Sequence, residues 1–181
     1  MSKYYECIFL DRDGTINFDP GYISCIEQFK FFDYTFKAMK LLSNLTSNFI
    51  IITNQSGVSR GLIKEDELIK INSFIHKKFS KYGLNLLRIY HCIDLPGNAS
   101  EFRKPALGMF LQASQEHSIN LSNCIMIGDS HKDIIPAFKL GMESMLVLSG
   151  NGLLDQKKFD NTCKPDYIVK NLLAGAQQLI R

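Results

Sequence analysis

Cys7-Ile8-Phe9-Leu10-Asp11-Arg12-Asp13-Gly14-Thr15 is the stretch on which the reading of this chain turns. Its first four residues form a short apolar run with no polar alternation, the pattern of a strand buried on both faces. Two carboxylates follow at once, two residues apart, and alternate residues of an extended segment point the same way, so Asp11 and Asp13 share a direction. Acids so close repel unless a cation sits between them, which points to a hard divalent metal with oxygen ligands, Mg²⁺ in the first place. Gly14 permits the tight turn after them.

Working outward, similar runs recur at Phe49 to Ile52, Leu87 to Cys92, Cys124 to Ile127, Met145 to Leu148 and Tyr167 to Val169. Helical spacing separates them. Leu68, Ile71, Ile75, Phe79 and Tyr82 make one apolar stripe closed by Gly83; Ala38, Met39, Leu42 and Leu45 make a second. Leu107, Phe110 and Leu111 make a third, with Pro105 read as a first-turn residue, and Lys170 to Ile180 forms a closing helix. Pro136 interrupts the pattern from His131 to Leu140, which is expected to start late or kink. Strands alternating with helices imply βαβ units, hence an α/β three-layer, Rossmann-like architecture with a mostly parallel sheet and helices on both faces. Ligands in such sheets bind outside the carboxyl ends of the strands. The stretches 15–34, 93–103 and 149–165 lack periodicity and are candidate functional loops.

The 181 residues, 45% hydrophobic and 22% charged, fit one domain spanning 1–181 and exclude disordered, collagenous and fibrous classes. A formal net charge of +3 does not call for a nucleic-acid partner. Five cysteines, widely spaced and without a C-x-x-C pair, read as reduced packing residues rather than a disulfide scaffold. Met1-Ser2-Lys3-Tyr4-Tyr5-Glu6 lacks the apolar core of a signal peptide, and no run is long enough to span a membrane. A cytoplasmic protein with no membrane partner is expected.

Two more strand ends, and the segment just before a helix, bring chemistry to the same edge. Thr53-Asn54-Gln55-Ser56-Gly57 is suited to holding phosphate oxygens through side chains and backbone N–H groups. Gly128-Asp129-Ser130 adds a third acid, with Asp133 one helical turn on, and Arg103-Lys104-Pro105 brings two cations. Hydrolysis of a phosphate monoester needs positioning, charge neutralisation and an activated nucleophile together. Asp11 can attack phosphorus, with Asp13 as acid and then base. Asp11, Asp129 and the backbone of Asp13 can hold Mg²⁺, and Thr53 and Lys104 can bind the non-bridging oxygens. The plainer alternatives are a helix N-cap for Asp129 and a surface salt bridge for Arg103.

The motifs D-x-D-G-T, T at a strand end, K-P and G-D-S, in this order over nearly the whole chain, resemble the haloacid dehalogenase (HAD) superfamily of phosphohydrolases. More narrowly, Phe9 to Asn17, Gly21-Tyr22, Thr53 to Gly57, Arg60-Gly61 and Arg103-Lys104-Pro105-x-x-Gly108-Met109 are similar to the D-glycero-D-manno-heptose-1,7-bisphosphate phosphatases and the related histidinol phosphatases. The resemblance implies Asp11 as nucleophile, Asp13 as acid/base, and Thr53 and Lys104 on the transferring phosphoryl group. It places substrate near Asp19, Pro20, Gly21 and Tyr22, near Asn54, Gln55, Ser56 and Arg60, and at Arg103. Members of this group usually hold zinc in a loop before the R-K-P motif; here that loop keeps only Cys92, with Asp94 nearby and His91 on the opposite side of its strand, so no zinc is expected. Ser130 stands where bacterial heptose enzymes often carry lysine. The two usual cap insertion points offer about 20 and about 10 residues, too few for a folded cap. A capless, monomeric enzyme acting on a small phosphorylated sugar is expected, the C7 phosphate of heptose 1,7-bisphosphate first. The alternatives are histidinol phosphate as substrate, a polynucleotide 3′-phosphatase, or a non-catalytic sugar-phosphate-binding module.

Overall fold

The computed structural model describes residues 4–160 and 162–181. The N-terminal reading at Met1 to Lys3, and Asn161 within the 149–165 stretch, lie outside the described residues. Among these residues six strands form one sheet: β1 (Cys7–Leu10), β2 (Phe49–Asn54), β3 (Leu86–Cys92), β4 (Cys124–Gly128), β5 (Glu143–Val147) and β6 (Tyr167–Val169). The order is β3-β2-β1-β4-β5-β6, and every pairing is parallel. Among the described residues six α-helices accompany them, the last following β6: α1 (Thr35–Leu42), α2 (Glu65–Lys81), α3 (Gly108–His117), α4 (His131–Lys139), the four-residue α5 (Gly152–Asp155) and α6 (Leu172–Leu179). Among the described residues no helix is long and apolar enough to cross a membrane.

The two-residue period of the strands divides the core between the sheet's faces. Ile8, Leu10, Ile51, Ile125, Ile127, Met145 and Val147 pack with Met39 and Leu42 of α1, Ile75 and Phe79 of α2, and Leu172 of α6. Cys7, Phe9, Ile50, Ile52, Cys124 and Met126 face the other way, onto Met109, Phe110 and Ala113 of α3 and Ala137 of α4. The chain moves outward from β1 through β2 to β3, then returns to β4 on the far side of β1. That reversal is the topological switch point, and it opens a crevice at the carboxyl ends of β1, β2 and β4.

The structure corrects three sequence expectations. α4 starts at His131, with Pro136 inside it, because Ser130 and Asp133 form a capping box that fixes the first turn. α3 starts at Gly108, so Pro105 lies in the preceding loop and not in the first turn. Tyr82 and Leu111 are about half exposed rather than core, Tyr82 stacking on Phe36 with ring centroids 4.0 Å apart. Between β1 and α1, and again between β3 and α3, the described structure contains single turns of 3₁₀ helix and no cap.

Candidate active site

The crevice is lined by Asp11, Asp13, Asp19, Gly21, Tyr22, Thr53, Asn54, Gln55, Ser56, Arg103, Lys104, Asp129, Ser130, Lys132, Asp133 and Asn151, among others. Most of the residues singled out from sequence therefore converge. Pro20 and Arg60 do not: both are exposed and outside the lining, because the turns at 19–21 and 56–63 carry them to the rim.

Lys104 organises the floor. Its ammonium donates to Asp11 Oδ1 at 2.8 Å, to the Ile52 carbonyl at 2.7 Å and to Asp133 Oδ1 at 2.5 Å, which uses all three of its hydrogens. Burial alone would lower its pKa, but the Asp11 and Asp133 carboxylates outweigh this and hold it charged. Asn54 fixes the same lysine's backbone from both ends, its Nδ2 donating to the Lys104 carbonyl at 3.0 Å and its Oδ1 accepting from Lys104 N at 3.1 Å. Asn54 thus spends its polar groups on Lys104.

Asp11, Asp129 and Asp133 each present an oxygen within 4.8 Å of the others. Burial, and then the Asp11 and Asp133 carboxylates, push Asp129 up to about 9; burial also pushes Asp133 up to about 7 despite Lys104 beside it. One lysine does not neutralise three buried carboxylates, so the donor set fits a hard divalent cation of the Mg²⁺ kind. Asp129 is held tightly. The backbone N–H of Asn151 donates to its Oδ2 at 2.7 Å, and a Cβ added at either Gly14 or Gly150 would lie 2.2 Å from that oxygen. Both glycines have positive φ, 78° and 56°, so the loops can close on Asp129 only without side chains there. Ser130, not Asp129, caps α4.

Asp13 faces the same cavity but its carboxylate stays outside the cluster. Arg12 donates to it at 2.8 Å, Asn17 at 2.9 Å and Gln55 at 2.8 Å. Burial works to raise its pKa, and these contacts, Arg12 foremost, bring it below the usual carboxylate range. Gln55 also donates to Thr53 Oγ1 at 2.9 Å, tying the end of β2 to Asp13. Arg103 is nearly buried and donates to the Asp94 carbonyl at 2.6 Å; among the described residues it makes no ion pair, against the surface-bridge reading.

Sequence reasoning left out Arg12 and Asn17, which hold Asp13, and Asn151, which holds Asp129. It also left out Asp155. That carboxylate accepts from Ser130 Oγ at 2.7 Å and from the His131 backbone at 2.9 Å and pairs with Lys158, fastening α5 to the start of α4. Arg12 had one available signal: in D-R-D, alternation turns it away from both acids' crevice and into the interior, where a buried arginine requires an acid.

A HAD-hydrolase-like family model matches residues 101–175. The chain is 35% identical over 183 residues to the D-glycero-beta-D-manno-heptose-1,7-bisphosphate 7-phosphatase of Pasteurella multocida, covering 97% of each. It is 35% identical over 144 residues to the D-glycero-alpha-D-manno-heptose-1,7-bisphosphate 7-phosphatase of Campylobacter jejuni, covering 80% of this chain and 83% of that one. This chain belongs to the heptose-bisphosphate phosphatase family of HAD-like hydrolases. The D,D-heptose 1,7-bisphosphate phosphatase of B. bronchiseptica, solved with magnesium and phosphate, superposes with a TM-score of 0.86 at 27% identity, covering 96% of this chain and 97% of that one. The family consists of phosphoric monoester hydrolases, and its three-layer fold is the one described above.

Proposed function

We propose that this protein is a Mg²⁺-dependent phosphatase that removes the C7 phosphate of D-glycero-D-manno-heptose 1,7-bisphosphate through an aspartyl-phosphate on Asp11. The observation that carries the reading is the buried Asp11–Lys104–Asp133 network beside Asp129 and Asp13, in a chain so similar to heptose-bisphosphate phosphatases.

A carboxylate oxygen of Asp11 forms a bond to phosphorus as the bond from phosphorus to the sugar's C7 oxygen breaks, and Asp13 gives that oxygen its proton. Asp13 then takes a proton from the attacking water, and the bond from phosphorus to Asp11 breaks to release phosphate. Arg12, Asn17 and Gln55 hold the free Asp13 in the base form; the negative charge of an arriving phosphate raises its pKa and makes it an acid for the first half. Lys104 keeps Asp11 aimed and sets a positive charge beside the reacting phosphoryl group. Thr53 offers its hydroxyl hydrogen to a phosphoryl oxygen while its oxygen accepts from Gln55. Asp11, Asp129 and the backbone at Asp13 would hold Mg²⁺, with Asp133 bounding the site; bound there, it supplies the charge neutralisation that lets an anionic nucleophile meet an anionic phosphate. Tyr22, Ser56 and Arg103 line the approach for the sugar. The chain acts as one unit, a cytoplasmic monomer without zinc.

The test is phosphate release with Mg²⁺ from both anomers of heptose 1,7-bisphosphate, from histidinol phosphate and from other sugar phosphates. The expected product is heptose 1-phosphate, with the bisphosphate hydrolysed fastest. Faster turnover of histidinol phosphate, or none of any substrate, overturns the reading.

A further inference from the structure

The ammonium of Lys132 has no hydrogen-bond or ion-pair partner among the described residues. Lys132 is the second residue of α4, in the first turn, where the helix dipole disfavours positive charge. The longest helix, α2, shows the favourable arrangement, with Glu65, Asp66 and Glu67 in its first turn. Among the described residues no carboxylate pairs with Lys132: the neighbouring Asp133 is committed to Lys104 and the Ser130 backbone, and Asp155 to Lys158, Ser130 and His131. Its side chain is exposed, yet it lines the active-site crevice.

Charge in that crevice gives Lys132 a purpose. The other two cations are occupied or partly so: Lys104 has no free hydrogen, and Arg103 gives one arm to the Asp94 carbonyl. A doubly phosphorylated sugar brings a second phosphate that does not react, and a free cation at the mouth offsets its repulsion by the carboxylates Asp11, Asp13, Asp19, Asp129 and Asp133.

We propose that Lys132 receives the non-reacting phosphate of the substrate and so selects a sugar bisphosphate over the same sugar carrying only the reacting phosphate. This rests on the phosphatase reading above. A lysine suits the task at an open mouth, since its flexible stem can follow a phosphate whose position changes with the sugar.

The test compares kcat/KM for heptose 1,7-bisphosphate with that for heptose 7-phosphate in wild type, Lys132→Ala and Lys132→Arg. In Lys132→Ala the ratio falls about tenfold, the size of one charge-assisted contact, with the loss carried by KM. Lys132→Arg restores most of it. Lys132→Ala melts no lower than wild type, because the residue it removes sits against the helix dipole. An unchanged ratio, meaning a solvated surface lysine, overturns the proposal. An equal loss on both substrates, carried by kcat, overturns it too, by placing Lys132 on the reacting phosphate. If wild type turns over neither substrate, the phosphatase reading itself fails; if wild type is active and only the ratio test fails, that reading stands and Lys132 alone is misassigned.

Discussion

The floor of the crevice and its rim are built on different principles. On the floor, hydrogen bonds join distant parts of the chain through buried groups: Lys104 reaches Asp11 and Asp133, and Gln55 reaches Asp13. On the rim, bonds close short local turns: Asp19 accepts from Gly21 N at 2.9 Å, and the Asp94 carboxylate takes the backbone N–H of Ser100 at 2.8 Å together with its hydroxyl. A change on the floor therefore strains several strand ends at once, whereas a change on the rim stays within one loop. On the proposed reading the reaction is locked into the fold, and the choice of sugar is left to parts that can vary without unfolding it.

The largest effect that separates the two regions is expected at Asp11. Asp11→Asn removes the proposed nucleophile and is expected to lower phosphate release by at least about 10³-fold, while far-ultraviolet circular dichroism stays native. Retention of activity in this variant would mean that the floor binds without reacting. Lys104→Met attacks the floor's stability as well. It leaves Asp11 and Asp133 buried without their counter-charge, and urea unfolding is expected to show a loss of about 3 kcal/mol. A loss no greater than that of a rim variant would break the contrast.

The floor also carries a pH signature. Burial and the neighbouring carboxylates raise Asp129 to about 9 in the folded protein, so its contribution to stability is fully present below the ordinary carboxylate range and is lost progressively as pH rises from there to that value. Metal-free protein should therefore melt lower at pH 8 than at pH 6. Mg²⁺ relieves the repulsion, so the rise in Tm on adding it is expected to be larger at pH 8, as differential scanning fluorimetry with and without a chelator will show. An equal rise at both pH values would place the ion away from Asp129.

The sequence was legible where one residue type answers one local question. Apolar runs of strand length mark all six strands of the described residues, and because the acids follow two of those strands directly, the sequence alone places Asp11 and Asp129 at one edge. What stayed illegible depends on partners supplied by irregular chain. Asn17 and Arg12 act on Asp13 only through the turn of residues 12–17, and Asn151 and Asp155 act on Asp129 and α4 from a stretch with no periodicity. Asp133 was visible as an acid near the site, but its double duty, capping α4 and pairing with Lys104, required knowing that the 104 loop crosses above β2. Pro136 does not delay the start of α4, because the capping box fixes the first turn ahead of it.

The smallest effect lies on the rim, and it decides whether the contrast holds there. Asp94 supports Arg103 in two ways, by a backbone carbonyl that receives the guanidinium and by a carboxylate that fastens Ser100, so the loop from 94 to 103 stays closed. Asp94→Ala keeps the first contact and releases the second. The loop then holds Arg103 less firmly, and kcat/KM for the bisphosphate should fall roughly fivefold through KM, with kcat and Tm at wild-type values. If Tm instead drops as far as in Lys104→Met, the loop is part of the structural floor, and selection of the sugar rests on the side of the crevice formed by Tyr22, Ser56 and the first turn of α4.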